Sequence, residues 1–565
     1  MRQTFAVLAG ALLLCSQAFA GGQKWEQKVD SDVRFKLIHD SGLIVVGTTT
    51  TAYGFNPETG EQKWKIENLM KNYDPETVKP QPGSEYMVYL YKKGIMDVSP
   101  SVRCLNILTG EQMWEVDLFG VVPDELVPQL VAAFGLQAKP EEGAALGMNL
   151  IQAVIDDAER DQFLLGTYSG FFLTVGKKIT FRGKTMVNGK PKNMPAGVLA
   201  VEKKTGKIKW AAPVPEMTGK VKAQVSYYWS YPQLIGDQVL VDWAGVHVFN
   251  LKDGSLACAA PFDRENMQGA NAATVIDKDV AYVASGGQLS AVDLATGQIK
   301  WQTKPDKDVA YTEISVAGDK VVAKRGGTFT DAKGKPKVLT YGLDVLDKNS
   351  GTPAFDSEKL HKAKDRQIAD MTNVLVGGNI AYYATQHSLR AFDLGKLDYQ
   401  YVVALGEDQG NFDGAKSVSS SGDGKIYVLM KQSTKAFNAA DGSQLWSKTF
   451  EPPKVSALAM AMLNTLSAAA AQQRANNSIT GRATYRVYHG ADFYQARAAA
   501  SDQYNYVMAQ ENGKPTVVGV NLSTGVDDRR AVMDKKEADY IVDERFGILL
   551  NVEKKQTVQA YDLNE

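Results

Sequence analysis

One phrase recurs along the chain and constrains the fold more than any other feature of the sequence. It consists of a short β-rich run, an Asn or Asp, two or three variable residues, Gly, three more residues and Trp. Repeats of this kind determine the architecture of a whole chain, so they are the first thing to interpret. Near-complete copies occupy residues 51–64, 101–114, 197–210, 288–301 and 433–446. Weaker copies occupy residues 245–258, 341–355, 388–397, 516–525 and 556–563.

The phrase predicts two antiparallel strands joined by a tight turn. Residues such as Leu289 and Ala291 alternate with Ser290 and Val292, which is the period of two that a strand requires. The Thr-Gly or Asp-Gly pair then supplies a residue that tolerates positive φ. Two further strand-like runs precede most copies, so each repeat should form four antiparallel strands. A four-stranded unit that recurs every 40 to 50 residues or so is the signature of a β-propeller blade.

The acidic or amide anchor of each copy gives the number of units. The sequence therefore predicts an all-β propeller of about eight to ten blades, and the anchors favour ten. Residues 21–565 should form this single domain. The anchors are Asn56, Asn106, Glu202, Asn250, Asp293, Asp347, Asp393, Asn438, Asn521 and Asp562.

The two chain ends should complete one blade together. The last repeat stops at Glu565 without a fourth strand, whereas QKWEQKVD at 23–30 is similar to the fourth strand EQKWKIEN at 61–68. An open sheet edge is a liability, so we expect residues 24–30 to pair as the outer strand of the last blade and to close the propeller. The aromatic residues expected to pack between blades are Trp25, Trp64, Trp114, Trp210, Trp301 and Trp446.

Two long spacings between anchors contain insertions that we predict to be helical, at about 120–162 and at 453–475. Apolar residues recur at helical spacing in both, and both should emerge on one face of the propeller. Two interpretations stay open: the helices pack on that face, or they form a docking surface for a partner. The candidate docking residues are Leu150, Ile151, Val154, Ile155, Leu458, Met462, Leu463 and Leu466.

The first 20 residues predict export. Arg2 precedes an apolar run that ends in Ala18-Phe19-Ala20, a pattern typical of a signal peptide cleaved after Ala20. Leucines precede Cys15, which argues against lipoprotein processing there. No later apolar stretch is long enough to span a bilayer. We therefore expect a periplasmic or extracellular protein without a transmembrane segment.

Charge and the chemistry-bearing residues exclude several classes of function. With 63 Lys and Arg against 64 Asp and Glu, the chain has no basic excess for a nucleic acid. Its five histidines are scattered, without the spacing of metal ligands. The sequence therefore indicates no catalytic, cofactor-binding or metal-binding residue. An aromatic surface around Trp229 and Trp243 leaves carbohydrate or cell-envelope binding open as an alternative.

The phrase A-x-D-x-x-T-G-x-x-x-W, as in residues 291–301, resembles the PQQ-like repeat of one β-propeller superfamily along almost the whole mature chain. In one branch, quinoprotein dehydrogenases carry pyrroloquinoline quinone (PQQ) and calcium. In the other, the lipoprotein of the outer-membrane β-barrel assembly machinery has the repeat without a cofactor. Alcohol-oxidising quinoproteins have two adjacent cysteines over the quinone, whereas Cys104 and Cys258 are far apart here. The resemblance therefore implies a non-catalytic scaffold that binds envelope proteins, with a PQQ- and calcium-dependent dehydrogenase as the alternative.

Overall fold

The structure is a computed structural model of the chain, and its description covers most of the repeats. The described residues are 22–68, 78–80, 84–91, 101–117, 119–148, 153–157, 161–167, 171–194, 196–214, 232–242, 245–261, 272–285, 287–304, 306, 309–330, 336–356, 371–406, 414–430, 432–451, 488–489, 498–500, 503–533 and 539–564. They separate into two compact parts, a terminal part and a middle part. The terminal part is Met1–Met70 with Lys359–Glu565, and the middle part is Lys71–Glu358.

Strands dominate the described residues, and they are numbered in chain order. The first fifteen are β1 Gln23–Lys28, β2 Val33–Ile38, β3 Ile44–Thr48, β4 Ala52–Phe55, β5 Gln62–Ile66, β6 Lys79–Pro80, β7 Tyr86–Tyr91, β8 Ser101–Asn106, β9 Gln112–Asp117, β10 Phe119–Val121, β11 Glu142–Gly147, β12 Ala153–Asp157, β13 Gln162–Thr167, β14 Phe171–Phe181 and β15 Lys184–Met194. The next fifteen are β16 Gly197–Glu202, β17 Ile208–Pro213, β18 Gln233–Ile235, β19 Gln238–Asp242, β20 Gly245–Asn250, β21 Leu256–Pro261, β22 Val275–Asp277, β23 Val280–Ser285, β24 Gln288–Asp293, β25 Ile299–Gln302, β26 Tyr311–Ala317, β27 Lys320–Thr330, β28 Pro336–Asp347, β29 Pro353–Asp356 and β30 Leu375–Gly377. The last fifteen are β31 Ile380–Ala384, β32 Ser388–Asp393, β33 Asp398–Ala404, β34 Ala415–Ser419, β35 Lys425–Met430, β36 Ser433–Asn438, β37 Gln444–Thr449, β38 Tyr488–His489, β39 Ala498–Ala500, β40 Tyr504–Glu511, β41 Lys514–Asn521, β42 Arg529–Val532, β43 Asp539–Asp543, β44 Ile548–Glu553 and β45 Thr557–Asp562.

The middle part contains six four-stranded antiparallel sheets. Five of them carry one anchor each and are β6–β9, β12-β13-β16-β17, β18–β21, β22–β25 and β26–β29. The sixth, β10-β11-β14-β15, carries no anchor. Its hairpin β14–β15 lies in the chain between β13 and β16, so the strands of two neighbouring sheets interleave along the sequence.

The terminal part contains the other five sheets, again with one anchor each. They are β30–β33, β34–β37, β39–β42, the five-stranded β38-β2-β3-β4-β5, and β1-β45-β44-β43. In the last of these, Trp25 of β1 lies opposite Ala560 and Lys28 lies opposite Thr557. The expected pairing of the N-terminal segment with the last repeat is therefore confirmed, as are the all-β class and the four-stranded antiparallel repeat.

Burial within a sheet follows strand position. The third strand β24 is buried on both faces, from Leu289 to Val292, whereas the outer strand β33 alternates between exposed and half-buried residues. Inner strands are covered on both faces by neighbouring sheets, so they read as continuous apolar runs. The outer strand is covered on one face only, and this is where the repeat places its Trp.

The helical prediction for 120–162 is correct only in its first half. A 3₁₀ turn at Asp124–Leu126 leads into helix α1, Val127–Ala133, which has Pro128 in its first turn, and Gly135 at φ 59° follows the helix. Leu130 and Phe134 are fully buried, and the Phe134 ring lies 5.4 Å from that of Phe171. This helix therefore packs against the sheets of the middle part.

The second half of that prediction is wrong, because strands replace the expected helix. Val154 lies opposite Gly166 and Ile155 lies opposite Leu165 in the hairpin β12–β13. Apolar residues at helical spacing also suit short strands, and the β-branched pair favours the extended form once a partner strand is available. Leu150 and Ile151 lie outside the described residues, as does the predicted helix at 453–475 with Leu458, Met462, Leu463 and Leu466. In the part that is described, no helix is both long and apolar enough to cross a membrane.

Candidate functional site

The repeated Trp forms a joint between neighbouring sheets. Trp301 lies on β25, eight residues after its anchor Asp293, and only 8% of it is exposed. Its indole Nε1 donates a hydrogen bond of 2.8 Å to the backbone oxygen of Lys348. Lys348 directly follows Asp347, the anchor of the next sheet. The Trp of one repeat thus binds the turn of the following repeat.

The same joint recurs with the same register in three other places. In each, the indole reaches the carbonyl of the residue after the next anchor. The bonds run from Trp25 to Pro57 at 2.7 Å, from Trp114 to Lys203 at 2.9 Å, and from Trp210 to Leu251 at 3.0 Å. Trp64 is buried against Gly54 of its own sheet. Trp446 covers Gly525 of the next repeat, but its Nε1 has no hydrogen-bond partner among the described residues.

The Gly of the repeat is required by this contact. A Cβ built on Gly351 would lie 2.5 Å from the ring of Trp301, closer than atoms can approach. Gly351 also has φ 67°, a left-handed conformation that disfavours a side chain. Anchor, Gly and Trp therefore act together as one structural element that spans two sheets.

The anchor side chain fixes the turn that accepts the Trp. Asp347 Oδ1 accepts hydrogen bonds from the backbone N–H groups of Asn349 at 3.1 Å and Ser350 at 2.9 Å. The hydroxyl of Ser350 also donates to it, and these bonds hold the pKa of Asp347 below its usual value. The bound turn presents the Lys348 carbonyl to the indole, as an Asx-turn is expected to do.

One joint escaped sequence reasoning. Tyr401 lies opposite Ala391, the position that Trp301 takes opposite Ala291. Its hydroxyl donates a 3.3 Å hydrogen bond to the backbone oxygen of Ala439, the residue after anchor Asn438. Leu397, at φ 56°, replaces the Gly of this repeat, which hides the motif. Counting eight residues from the anchor Asp393 would have found it.

Buried charges form a second group that the sequence did not single out. Lys324 Nζ lies 3.2 Å from Glu313 Oε1, and both side chains are almost fully buried. On the same sheet, Arg325 Nε lies 3.6 Å from Asp344, which also accepts a 3.1 Å hydrogen bond from Tyr311. Each buried cation faces a carboxylate, so the arrangement compensates charge within the sheet.

The cysteines do not fit a quinone site. Cys104 lies on β8 and Cys258 on β21, both are buried, and neither is in a disulfide. Burial raises the pKa of the Cys104 thiol to about 12 and also raises the pKa of Cys258. Both thiols therefore stay protonated and unreactive at neutral pH. They cannot supply the adjacent pair that alcohol-oxidising quinoproteins place over PQQ.

The described residues contain no assembled site for a metal ion. No three His, Cys, Asp or Glu side chains there are grouped where they could hold a metal ion. His247 is fully buried on β20, whereas His39 Nδ1 shares a 2.8 Å hydrogen bond with the hydroxyl of Ser41. Trp229 and Trp243, the basis of the carbohydrate alternative, lie outside the described residues.

The hairpin β14–β15 is the most distinctive surface in the part of the chain that the structure describes. Residues 171–194 contain six Lys or Arg and no Asp or Glu. Arg182 and Gly183 form its two-residue turn, with φ values of 50° and 77°. Ile179, Phe181 and Met186 near this turn are exposed by 39%, 59% and 49%. The net charge of the whole chain, only −1, conceals this local segregation.

Comparisons with known proteins agree with the repeat. A family model described as "Outer membrane protein assembly factor BamB" matches residues 1–120 and 97–396, more than half of the chain. No curated protein matches the sequence. The solved structure "The crystal structure of BamB from Moraxella catarrhalis" is 11% identical, with a TM-score of 0.32, over 96% of this chain and 100% of that one. A "Europium-containing methanol dehydrogenase" is 13% identical, with a TM-score of 0.28, over 74% of this chain and 68% of that one. At these scores neither structure supports an argument about function.

Repeated four-stranded sheets joined by an anchor, a Gly and a Trp define the class of the protein, a PQQ-like repeat β-propeller. The match of the family model is more specific. The chain belongs to the family described as outer membrane protein assembly factor BamB.

Proposed function

We propose that this protein is an exported, non-catalytic scaffold that binds envelope proteins during outer-membrane assembly. The observation that carries the proposal is the family match over residues 1–396. Its location would be the periplasm, reached through the signal peptide predicted at residues 1–20. No cofactor is required for this role.

The use of the repeat residues supports a scaffold. Side chains that define the motif, such as Trp301, Gly351 and Asp347, bind other parts of the fold, so the repeat itself offers no group for catalysis. A rigid array of sheets is well suited to present insertions and loops to partners. The helix predicted at 453–475, with its apolar stripe, is the segment we assign to partner binding.

The test is crosslinking of the full chain in the native envelope, followed by identification of the crosslinked proteins. We expect an outer-membrane assembly protein that is lost when residues 455–475 are deleted, while the melting temperature is unchanged. Strains without the protein should contain less folded outer-membrane β-barrel protein. A deletion variant that is globally unfolded would instead assign this segment to packing.

The quinoprotein alternative has a direct test of its own. Purified protein is incubated with PQQ and Ca²⁺, and bound chromophore and dye reduction are measured with alcohol and sugar substrates. A stoichiometric chromophore with substrate-dependent dye reduction would overturn the non-catalytic assignment. The carbohydrate alternative is tested with a glycan array, on which specific binding lost in Trp229→Ala would favour that function instead.

A further inference from the structure

The hairpin β14–β15 continues an apolar face of the fold into solvent. Side chains alternate along a strand, so Phe171, Leu173, Ile179 and Phe181 share one face of β14. Phe171 and Leu173 are fully buried in the core around α1. Six to ten residues further on, Ile179 and Phe181 on the same face are exposed. The face therefore emerges from the core and ends uncovered at the turn.

The second strand adds to this apolar face. Met186 lies directly opposite Ile179, and Lys184 lies opposite Phe181. Cross-strand partners share a face, so Ile179, Phe181 and Met186 form one continuous apolar tip. Seven other large apolar residues are exposed in the described chain, but they are spread over six sheets, and single exposures of this kind are ordinary. This hairpin alone among them brings three such residues together.

Cations surround the apolar tip. Lys178 pairs with Asp124, and Lys192 donates to the backbone oxygen of Phe134. The remaining four cations of the hairpin are exposed and have no ion-pair partner among the described residues; they are Lys177, Arg182, Lys184 and Lys190. Their charge is therefore available to an anionic surface that meets the tip.

The edge of the hairpin is unsuited to pairing with a strand of another protein. β15 is the edge strand of its sheet, and it contains Pro191, which has no N–H to donate. Three lysines on the same strand further disfavour strand addition. An occupant that meets an apolar tip within a ring of cations, without using the edge, fits the observations better.

We propose that the tip of this hairpin, residues 177–190, docks on the surface of an anionic phospholipid bilayer. Phe181, Ile179 and Met186 enter the interfacial region, while Lys177, Arg182 and Lys184 contact lipid phosphates. The segment from Lys177 to Phe181 is about 13 Å long at the strand rise, enough to reach an interfacial depth of roughly 5–10 Å. Each basic residue near such a surface strengthens binding by about fivefold. This inference does not depend on the scaffold function.

The experiment measures co-sedimentation of the mature full-length protein with vesicles. One set contains phosphatidylcholine alone, and the other contains equal amounts of phosphatidylcholine and phosphatidylglycerol. We expect binding to the anionic vesicles only, weakened by added salt because exposed charges are screened. Equal binding to both sets, or binding to neither, would overturn the proposal.

Two variants separate the contributions of charge and apolar contact. Lys177→Gln with Lys184→Gln should weaken binding by at least tenfold, and Phe181→Ser with Met186→Ser should weaken it by a similar factor. Two matched controls should leave binding unchanged. Lys514→Gln alters the residue that follows the Asn512-Gly513 turn of hairpin β40–β41, and Leu445→Ser alters an exposed leucine on β37. Unchanged melting temperatures would show that all variants fold.

A fluorescence measurement decides whether the tip enters the bilayer. In Phe181→Trp, addition of anionic vesicles should shift the added tryptophan emission to the blue, whereas Leu445→Trp should show no shift. A charge variant that loses binding while Phe181→Ser with Met186→Ser retains it would reduce the contact to electrostatics and contradict insertion. Binding of the tip to an acidic protein, without binding to anionic vesicles, would assign the tip to a protein partner instead.

Discussion

Replacing Trp301 tests the joint that links neighbouring repeats. The ring is almost fully buried, so Trp301→Ala should lower the free energy of unfolding by about 3–5 kcal/mol. Trp301→Phe keeps most of the ring but removes the Nε1 donor, which leaves the Lys348 oxygen without its 2.8 Å hydrogen bond. An acceptor that loses its partner in a buried site costs about 1–3 kcal/mol, and the low end applies if water reaches it.

Trp446 supplies a matched control within the same protein. Both rings lie against a tyrosine of their own sheet, Trp301 at 6.0 Å from Tyr282 and Trp446 at 6.2 Å from Tyr427. Both also cover the Gly of the next turn. Trp446 Nε1, however, makes no hydrogen bond in the described structure. Trp446→Phe should therefore cost less than Trp301→Phe by about 1 kcal/mol, the value of one hydrogen bond.

Urea unfolding followed by circular dichroism measures these costs without relying on the fluorophore that is removed. The free energies of unfolding are compared only between variants for which this free energy falls with urea concentration at the same slope. A changed slope means that the unfolding reaction itself has changed. A cost below about 1 kcal/mol for Trp301→Ala would refute the burial argument. Equal costs for the two Phe variants would refute the role of the indole hydrogen bond.

Three further outcomes follow from the described contacts. Deletion of residues 22–30 removes β1 from the last sheet and should lower the melting temperature by several degrees or more; an unchanged value would contradict the pairing with β45. Glu313→Gln leaves Lys324 buried without its partner carboxylate and should lower the free energy of unfolding by about 3–5 kcal/mol. Glu313→Gln with Lys324→Met should lower it by less, and a thermal melt of each variant would show the difference. Burial opposes the ionisation of Asp423, but hydrogen bonds from Lys425, Ser421 and Tyr427 outweigh it and lower its pKa to about 2. Because the folded pKa lies below the unfolded one, Asp423 stabilises the fold above about pH 4 and loses this effect as pH falls towards 2. Asp423→Asn should then flatten the acid limb of stability against pH, by no more than about 1 kcal/mol since the side chain is partly exposed.

The repeat itself could be predicted from the sequence because its signature residues have a fixed structural role. Each anchor lies at the end of a third strand, and the similarity of residues 23–30 to residues 61–68 foretold the pairing of β1 with β45. Tyr401 was missed because a tyrosine and Leu397 replace the usual Trp and Gly, while the joint to Ala439 persists. Local residue identity changed there, but the register did not.

The insertion at 120–162 could not be predicted in full, because its structure depends on distant strands. β11 pairs with β14, about 30 residues later in the chain, and nothing local in residues 142–147 identifies that partner. Residues 153–157 likewise become a strand through pairing with β13. The basic hairpin was missed for a different reason: charge was counted over the whole chain, which averages the cations of residues 171–194 against acidic residues elsewhere.

The joints also indicate where function resides in this protein. Where the joint forms, as at Trp301, the anchor, Gly and Trp hold neighbouring sheets together, so changing them to create a new site would break the contact between sheets. Selection for function must therefore act on segments that carry no joint. In the described chain the largest of these is the sheet β10-β11-β14-β15, which has no anchor and bears the basic hairpin. Its interleaving with the sheet of Glu202 ties the hairpin to the rigid core, and this is the arrangement needed to hold a docking tip at a fixed position.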